Sequence, residues 1–330
     1  MSSDLPPHLK RALERLTEGV ARTDMARRAE TISRTYRDGG GSGTIRDARD
    51  ALAYALARMP ATYAAVSASL EAAAELADDF VPETLLDIGA GPGTATWAAA
   101  EAFPSLQQFA MIDANTALRA FALDLARGNE RFKQLTYRQA DARIETSVAT
   151  EADLVVASYA IGEMDEAGQR RLIEAMWAKT RHLLVLVEPG TPAGYGRIIA
   201  ARAQLIEAGA HIIAPCPHHK PCPLDVPDWC HFAARLSRSR DHKQLKAAEV
   251  PYEDEKFSYV VASRIPTRHP AARVLAPPHQ TKVEVKAKLC LADGHAGAQS
   301  IARRDKEAYA RARRWRWGDA IVDENDQGIS

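Results

Sequence analysis

The spacing of apolar and polar positions changes repeatedly along this 330-residue chain, and each change predicts a different kind of element. Over residues 9–17 and 20–36 the apolar positions recur at helical spacing. The run Gly39-Gly40-Gly41-Ser42-Gly43 ends that pattern and reads as a flexible loop. Helical spacing returns over 45–58, is expected to stop at Met59-Pro60, and resumes over 61–76. From 84 to about 213, short apolar runs alternate with longer amphipathic stretches. Strands are predicted at 85–88, 108–112, 135–139, 153–157 and 182–187, with helices between them. That alternation packs economically only as an α/β fold, a mostly parallel sheet covered by helices. Residues 235–246 read as a basic helix, and 257–303 as short strands punctuated by Pro277-Pro278 and Gly294, a small antiparallel unit. The expected organisation is therefore a helical region over 1–80, an α/β core over 81–213, a cysteine-rich insertion with return to the core over 214–264, and a C-terminal basic module containing β-strands over 265–330.

Candidate chemistry begins where the first predicted strand ends, in Thr84-Leu-Leu-Asp-Ile-Gly-Ala-Gly-Pro-Gly-Thr94. One glycine lets the chain reverse, and another lets backbone N–H groups approach a ligand with no Cβ in the way. Gly89, Gly91 and Gly93 form G-x-G-x-G with Asp87 two residues upstream, and Thr94 stands where a dinucleotide fingerprint wants glycine or alanine. The pattern resembles the cofactor loop of class I S-adenosylmethionine-dependent methyltransferases. On that resemblance Asp113, which closes the second strand, is placed to accept from ribose hydroxyls or to cap the next helix. Asp141, after the third strand, falls where this fold meets the adenine. The loop after the fourth strand reads Ala157-Ser158-Tyr159-Ala160, without the Asn/Asp-Pro-Pro-aromatic tetrad of amino methyltransferases, and no cysteine precedes Cys216 to attack a pyrimidine carbon. Tyr159 and Glu163 are the best-placed polar groups there, and neither is assigned a catalytic role.

Composition narrows the class. With 46% apolar and 26% charged residues the chain reads as soluble and globular, and no apolar run approaches the ~20 residues of a membrane span. Four cysteines are too few for a disulfide scaffold, and the start shows no secretory apolar stretch, so a cytoplasmic location is expected. The formal net charge of zero conceals a partition: residues 231–318 carry 19 Lys/Arg against 9 Asp/Glu. A basic C-terminal module beside an acidic body suggests a polyanionic partner. Within it, Arg311-Ala-Arg-Arg-Trp-Arg-Trp-Gly318 interleaves guanidinium and indole groups, which suits phosphate contact and base stacking, or a terminal helix whose Trp face docks on the core.

All the cysteines have a pattern of their own. Cys216, Cys222 and Cys230 share one Pro-rich loop, and Cys290 lies in a strand-like stretch 60 residues later. Three thiols so close in a loop do not resemble scattered core cysteines. Cys₄ suits an iron–sulfur cluster or zinc. The tight knuckle of structural zinc sites is missing, and two of the loop cysteines precede proline, as in iron–sulfur loops. Zinc stays open, with His218, His219 or His231 as further ligands, and Trp229 and Phe232 are placed to shield either centre.

The block Cys216-Pro-His-His through Pro-Cys222-Pro-Leu to Asp228-Trp-Cys-His-Phe232 is specific. With Arg58-Met-Pro-Ala-Thr-Tyr63, Val187-Glu-Pro-Gly-Thr191 and Trp317-Gly-Asp319, it is similar to the mitochondrial small-subunit ribosome-assembly methyltransferase-like family and its bacterial relatives. The resemblance implies a class I methyltransferase fold, bound S-adenosylmethionine, a 4Fe-4S cluster on Cys216, Cys222, Cys230 and Cys290, and association with the small ribosomal subunit and its rRNA. Three readings follow: an assembly factor that holds the cofactor without necessarily turning it over, an active rRNA methyltransferase, and a small-molecule methyltransferase with a structural zinc site.

Overall fold

The computed structural model describes residues 4–37, 39–77, 79–237 and 252–322. Three helices come first: α1 (Pro7–Thr17), α2 (Arg22–Arg37) and α3 (Ala48–Ala74). The last overturns the expected stop at Pro60, for α3 runs straight through it. An internal proline forfeits one backbone hydrogen bond and costs about 3 kcal/mol. The alanine-rich helix recovers more than that, because it packs against α2, two helices of the core and strands of the main sheet, with most of its side chains buried.

The core then alternates as the sequence predicts: β1 (Thr84–Ile88), α4 (Thr94–Ala102), β2 (Gln108–Asp113), α5 (Thr116–Ala126), β3 (Gln134–Gln139), α6 (Ala142–Val148), β4 (Ala152–Ser158), α7 (Glu166–Ala178), β5 (Thr180–Pro189), α8 (Pro192–Glu207) and β6 (His211–Ala214). β7 (Phe232–Ser237) and the long β8 (Tyr252–Ser263) complete the main sheet. Its order is β3-β2-β1-β4-β5-β8-β6, parallel from β3 to β5, with β8 antiparallel to both of its neighbours. This is the class I methyltransferase arrangement that the glycine turn implied. Both faces of the sheet are covered, so its strands read as continuous apolar runs. Leu183, Val185 and Val187 of β5 face the layer of α3, α4 and α5, while Leu184 and Leu186 face that of α7 and α8.

One edge of β8 is shared. Its C-terminal half pairs with β6 (Ala214 opposite Val261), and its N-terminal half pairs with β7 (Phe232 opposite Phe257). The cysteine-rich loop leaves the sheet in the gap between them. Arg235 to Ser237 belong to β7, which corrects the helix expected to start at Arg235; the remainder of that stretch, from 238, lies outside the described residues.

A second, antiparallel sheet follows: β9 (Ala272–Val274), β10 (His279–Gln280), β11 (Glu284–Leu291), β12 (Ala296–Ala302) and β13 (Ala320–Ile321), with α9 (Lys306–Ala312) against β11 and β12. Trp315 packs into this unit's apolar centre and Trp317 against the main core, so both indoles are spent on packing; Arg311, Arg313, Arg314 and Arg316 stay exposed.

Candidate functional site

Two sites emerge. The first is a crevice at the C-terminal ends of β1, β2 and β4, where the strand order reverses between β1 and β4. Gly89, Gly91 and Gly93 all have positive φ, between 54° and 81°, a region that side chains disfavour. At Gly89 a Cβ would stand 2.5 Å from that of Ala160, so the turn and the β4 loop can only meet here without a side chain. The Gly91 N–H donates to Asp113 Oδ2 at 3.0 Å, and the Asn115 N–H donates to Asp113 Oδ1 at 2.7 Å. Burial raises the Asp113 pKa. Asn115, two residues after Asp113, is the residue whose side chain caps α5.

Asp141 lines the crevice, caps α6 and pairs with Arg143, whose guanidinium lowers its pKa. Asp87 does not line it. Fully buried, Asp87 turns away to accept from Thr96 N–H at 3.1 Å and Thr96 Oγ1 at 2.7 Å, and burial pushes its pKa up to about 7. It braces the turn from behind.

The rim contains groups the periodicity gave no reason to single out. Tyr36 of α2, Ser42, and Tyr54 and Thr62 of α3 all line the crevice. Ser42 donates through its N–H to Glu163 Oε1 at 3.2 Å, and Asn115 Nδ2 donates to the carbonyls of Ser42 and Ile45, each at 2.9 Å. The glycine stretch expected to be flexible is thus fastened across the crevice by the loops after β2 and β4. A Cβ at Gly41 would stand 2.6 Å from Glu163 Oε2, so the backbone and that carboxylate meet closely here. Opposite, Tyr159 adopts φ 56°, unusual for a bulky residue, and its hydroxyl donates to Glu255 of β8 at 2.9 Å. Arg58 of α3 pairs with the same carboxylate.

The second site is a small cavity between α8, the loop after β6 and the small sheet. Cys216, Cys222, Cys230 and Cys290 all line it. β11 carries Cys290 opposite Arg273 of β9, which brings the remote cysteine to the loop. Burial raises the Cys216 and Cys230 thiol pKa values and pushes Cys290 up to about 12. Tyr195 OH lies 3.2 Å from Cys222 Sγ, and His218 Nε2 lies 3.5 Å from Cys290 Sγ. Of the three histidines weighed as zinc ligands, His218 alone lines the cavity: His219 accepts from the Ile212 N–H, and His231 stacks on Trp229. Neither Trp229 nor Phe232 forms part of the wall. The Trp229 indole donates to the Gly190 carbonyl, and Phe232 is buried against Phe257 and Tyr259. Among the described residues, no three His, Cys, Asp or Glu side chains stand close enough to hold a single metal ion.

Among solved structures the fold is similar to magnesium protoporphyrin IX methyltransferase from Synechocystis PCC 6803 (15% identity, TM-score 0.41, over 71% of this chain and 92% of that one). It is also similar to an O-methyltransferase family protein from Burkholderia thailandensis (14%, TM-score 0.42, 66% and 60%). The human mitochondrial ribosome assembly protein METTL17 is 29% identical over 290 residues, which span 82% of this chain and 62% of that protein. The Rsm22-cox11 tandem protein 2 of Schizosaccharomyces pombe, also mitochondrial, is 25% identical over 81% of this chain and 42% of its own length. The chain thus spans roughly half the length of these curated relatives. They overturn the cytoplasmic location expected above, since they are mitochondrial by name. Cysteine usage reports only whether a compartment oxidises thiols, and does not separate one reducing compartment from another. The family model for the mitochondrial small ribosomal subunit protein Rsm22 matches residues 48–322, from α3 through the cysteine loop to β13, and the chain belongs to that family.

Proposed function

We propose that this protein is an assembly factor of the small ribosomal subunit that binds S-adenosylmethionine in the crevice, carries a metal centre on its four cysteines and contacts rRNA through its basic C-terminal half. The observation that carries the reading is the extent of the family match. It covers the core, the cysteine loop and the small sheet as one unit, so the likeness to ribosome assembly proteins is not that of a methyltransferase core alone.

The crevice supports the cofactor assignment through Gly89, Gly91 and Gly93, which leave room for a ligand against the backbone, and through Asp113, the acidic group at the end of β2. Asp141 stands at the far rim for the adenine, and Asp87 serves the turn without touching the ligand. The acceptor side offers a strained Tyr159 tied to Glu255 and a Glu163 tied to Ser42. A protein that holds the cofactor as a structural element fits this arrangement better than one built to methylate a base.

For the metal, the donor set suits a tetrathiolate centre: all four thiols line one cavity. Thiolates around one zinc ion stand about 3.8 Å apart, given Zn–S bonds of about 2.3 Å. A cubane spreads its four ligands further, and the Cys-Pro steps at Cys216 and Cys222 with no tight zinc knuckle favour 4Fe-4S over zinc. Such a centre would supply cross-linking of the loop to the small sheet, and redox chemistry if iron is present.

The deciding experiment compares small subunits and their rRNA from cells with and without the protein. We expect co-sedimentation with the small subunit and fewer mature subunits in its absence, with the methyl marks of the rRNA intact by mass spectrometry. A single lost mark would make the protein an active rRNA methyltransferase, and normal subunit levels would refute the assembly role.

A further inference from the structure

Around the cysteine cavity stand two buried arginines, of which Arg273 has a carboxylate, Glu75, near enough to feel its charge without a direct ion pair. Arg202 of α8 and Arg273 of β9 line it together with the four thiols, and they are only 4% and 1% exposed. Arg202 Nη2 donates to the carbonyls of His218 (2.7 Å) and Lys220 (2.9 Å), both in the cysteine loop. Arg273 Nε donates to the Pro215 carbonyl and its Nη1 to that of Gly318, each at 2.8 Å. One guanidinium N–H group on each, Arg202 Nε and Arg273 Nη2, is buried without a hydrogen-bond partner, and among the described residues no carboxylate pairs with either. His218 Nδ1 is unpartnered in the same wall.

Two buried guanidinium ions, each with an N–H group left without a partner, would be costly, since a poorly compensated charge pays several kcal/mol to leave water. The arrangement balances if the cavity holds a dianion. Four thiolates on zinc carry a net charge of −2, and so do four thiolates on an oxidised cubane. We infer that Arg202 and Arg273 are the charge-compensating and positioning residues of a dianionic tetrathiolate centre, one supplied by the core and the other by the small sheet. The inference rests on the metal site proposed above and adds residues that no spacing of cysteines discloses. Each arginine also holds a segment that carries a ligand. Arg202 clasps the loop between Cys216 and Cys222, and Arg273, directly opposite Cys290, clasps the residue preceding Cys216. The centre and its counter-ions would therefore seat both segments together, so loading should order the loop as well as fill it.

The test uses the full-length protein purified without oxygen, as wild type and as Arg202→Met, Arg202→Lys and Arg273→Met, with iron, sulfide and zinc content and the reduction potential of any cluster measured on each. Lowering the local positive charge disfavours the more negative reduced cluster. Both methionine variants should therefore lower the potential by at least the equivalent of a tenfold change in the one-electron equilibrium, 59 mV, and Arg202→Lys should recover most of it. If wild type carries zinc, the readout is its removal by a chelator, expected to be tenfold faster or more in the methionine variants and near normal in the lysine one. Should a methionine variant fail to fold, Arg202→Lys against wild type still decides, because packing alone would not return the potential or extraction rate with the charge. Loaded variants indistinguishable from wild type would overturn the role of the arginines and leave the cysteine site standing. Wild-type protein without any bound metal would overturn both.

Discussion

The crevice and the cysteine cavity solve the same problem, holding a small group against a rigid scaffold, in opposite ways. The crevice is local. Its floor is one strand, one turn and one helix within residues 84–102, where glycine brings the backbone to the surface, although its rim draws on α2, α3 and the loops after β2, β3 and β4. The cavity is assembled from α8, a loop expelled from the sheet edge and two strands of another sheet, and its surface is side chains that are unfavourable there until something binds. The first should survive loss of its ligand with little change, because its hydrogen bonds are closed among its own residues. The second should not, since one N–H group of each guanidinium is buried there without a partner. Preorganisation is therefore carried by the backbone in one site and by the bound group in the other.

Four experiments bear on that contrast. Removing a metal ligand should have the largest effect: Cys290→Ser should abolish the centre and loosen the 252–322 half, because a structural metal contributes on the order of 10 kcal/mol to folding. Hydrogen exchange should show β9, β11 and the loop deprotected while β1 to β5 keep their protection; uniform protection would end the claim that the centre joins the two sheets. Gly91→Arg should come next. It places a large cation at φ 54° in the crevice, costs about 1–2 kcal/mol in backbone strain and should weaken S-adenosylmethionine binding by at least about 100-fold in calorimetry, with the cysteine half unaffected. Equal affinity would remove the cofactor from the crevice.

A smaller effect is expected from neutralising Arg311, Arg313, Arg314 and Arg316 together. The slope of log affinity for rRNA against log salt should flatten by up to about 3, at roughly 0.7 per lost contact with single-stranded phosphate. An unchanged slope would move the RNA surface elsewhere. The smallest concerns Asp87. Its folded pKa of about 7 lies above the ordinary 3.8, so the folded state holds the proton more tightly and this stabilisation is lost as pH rises from about 4 through 7. Asp87→Asn should thus gain stability relative to wild type across that window and level off above it, as read from urea unfolding at a series of pH values. A constant difference would mean that Asp87 ionises normally.

How much of this was legible in the sequence follows the same division. The strand–helix alternation, the glycine turn and Asp113 are local, and period and spacing are enough to find them. The gathering of four cysteines could be suspected from their clustering, yet their counter-ions could not. Arg202 reads as one more polar residue on α8 and Arg273 as one in a short strand, and only the pairing of β9 with β11 puts the second beside Cys290. Pro60 misled because a propensity of about 3 kcal/mol is readable in one residue, whereas the burial that outweighs it is spread over the whole of α3. Gly39 to Gly43 misled differently. Glycine there signals close approach to Glu163, and composition alone does not distinguish a stretch that must be free from one that must be near something. Asp87 has the right spacing for a ligand contact and faces Thr96 instead, a matter of side-chain direction that spacing does not encode.

The divided edge of β8 has a consequence for how this architecture can vary. Ala214 and Phe232 are held opposite Val261 and Phe257, four residues apart along one strand and so about 14 Å from each other. The sheet fixes the two ends of the intervening loop whatever lies between them. Once the ends are fixed, doubling such a loop costs only about 0.6 kcal/mol in closure entropy. Residues could be inserted or deleted there without shifting a strand of the core or exposing an unpaired edge, because β6 and β7 cover β8 on either side. The scaffold thereby separates the part of the chain that must keep its register from the part free to acquire, lengthen or lose a binding loop.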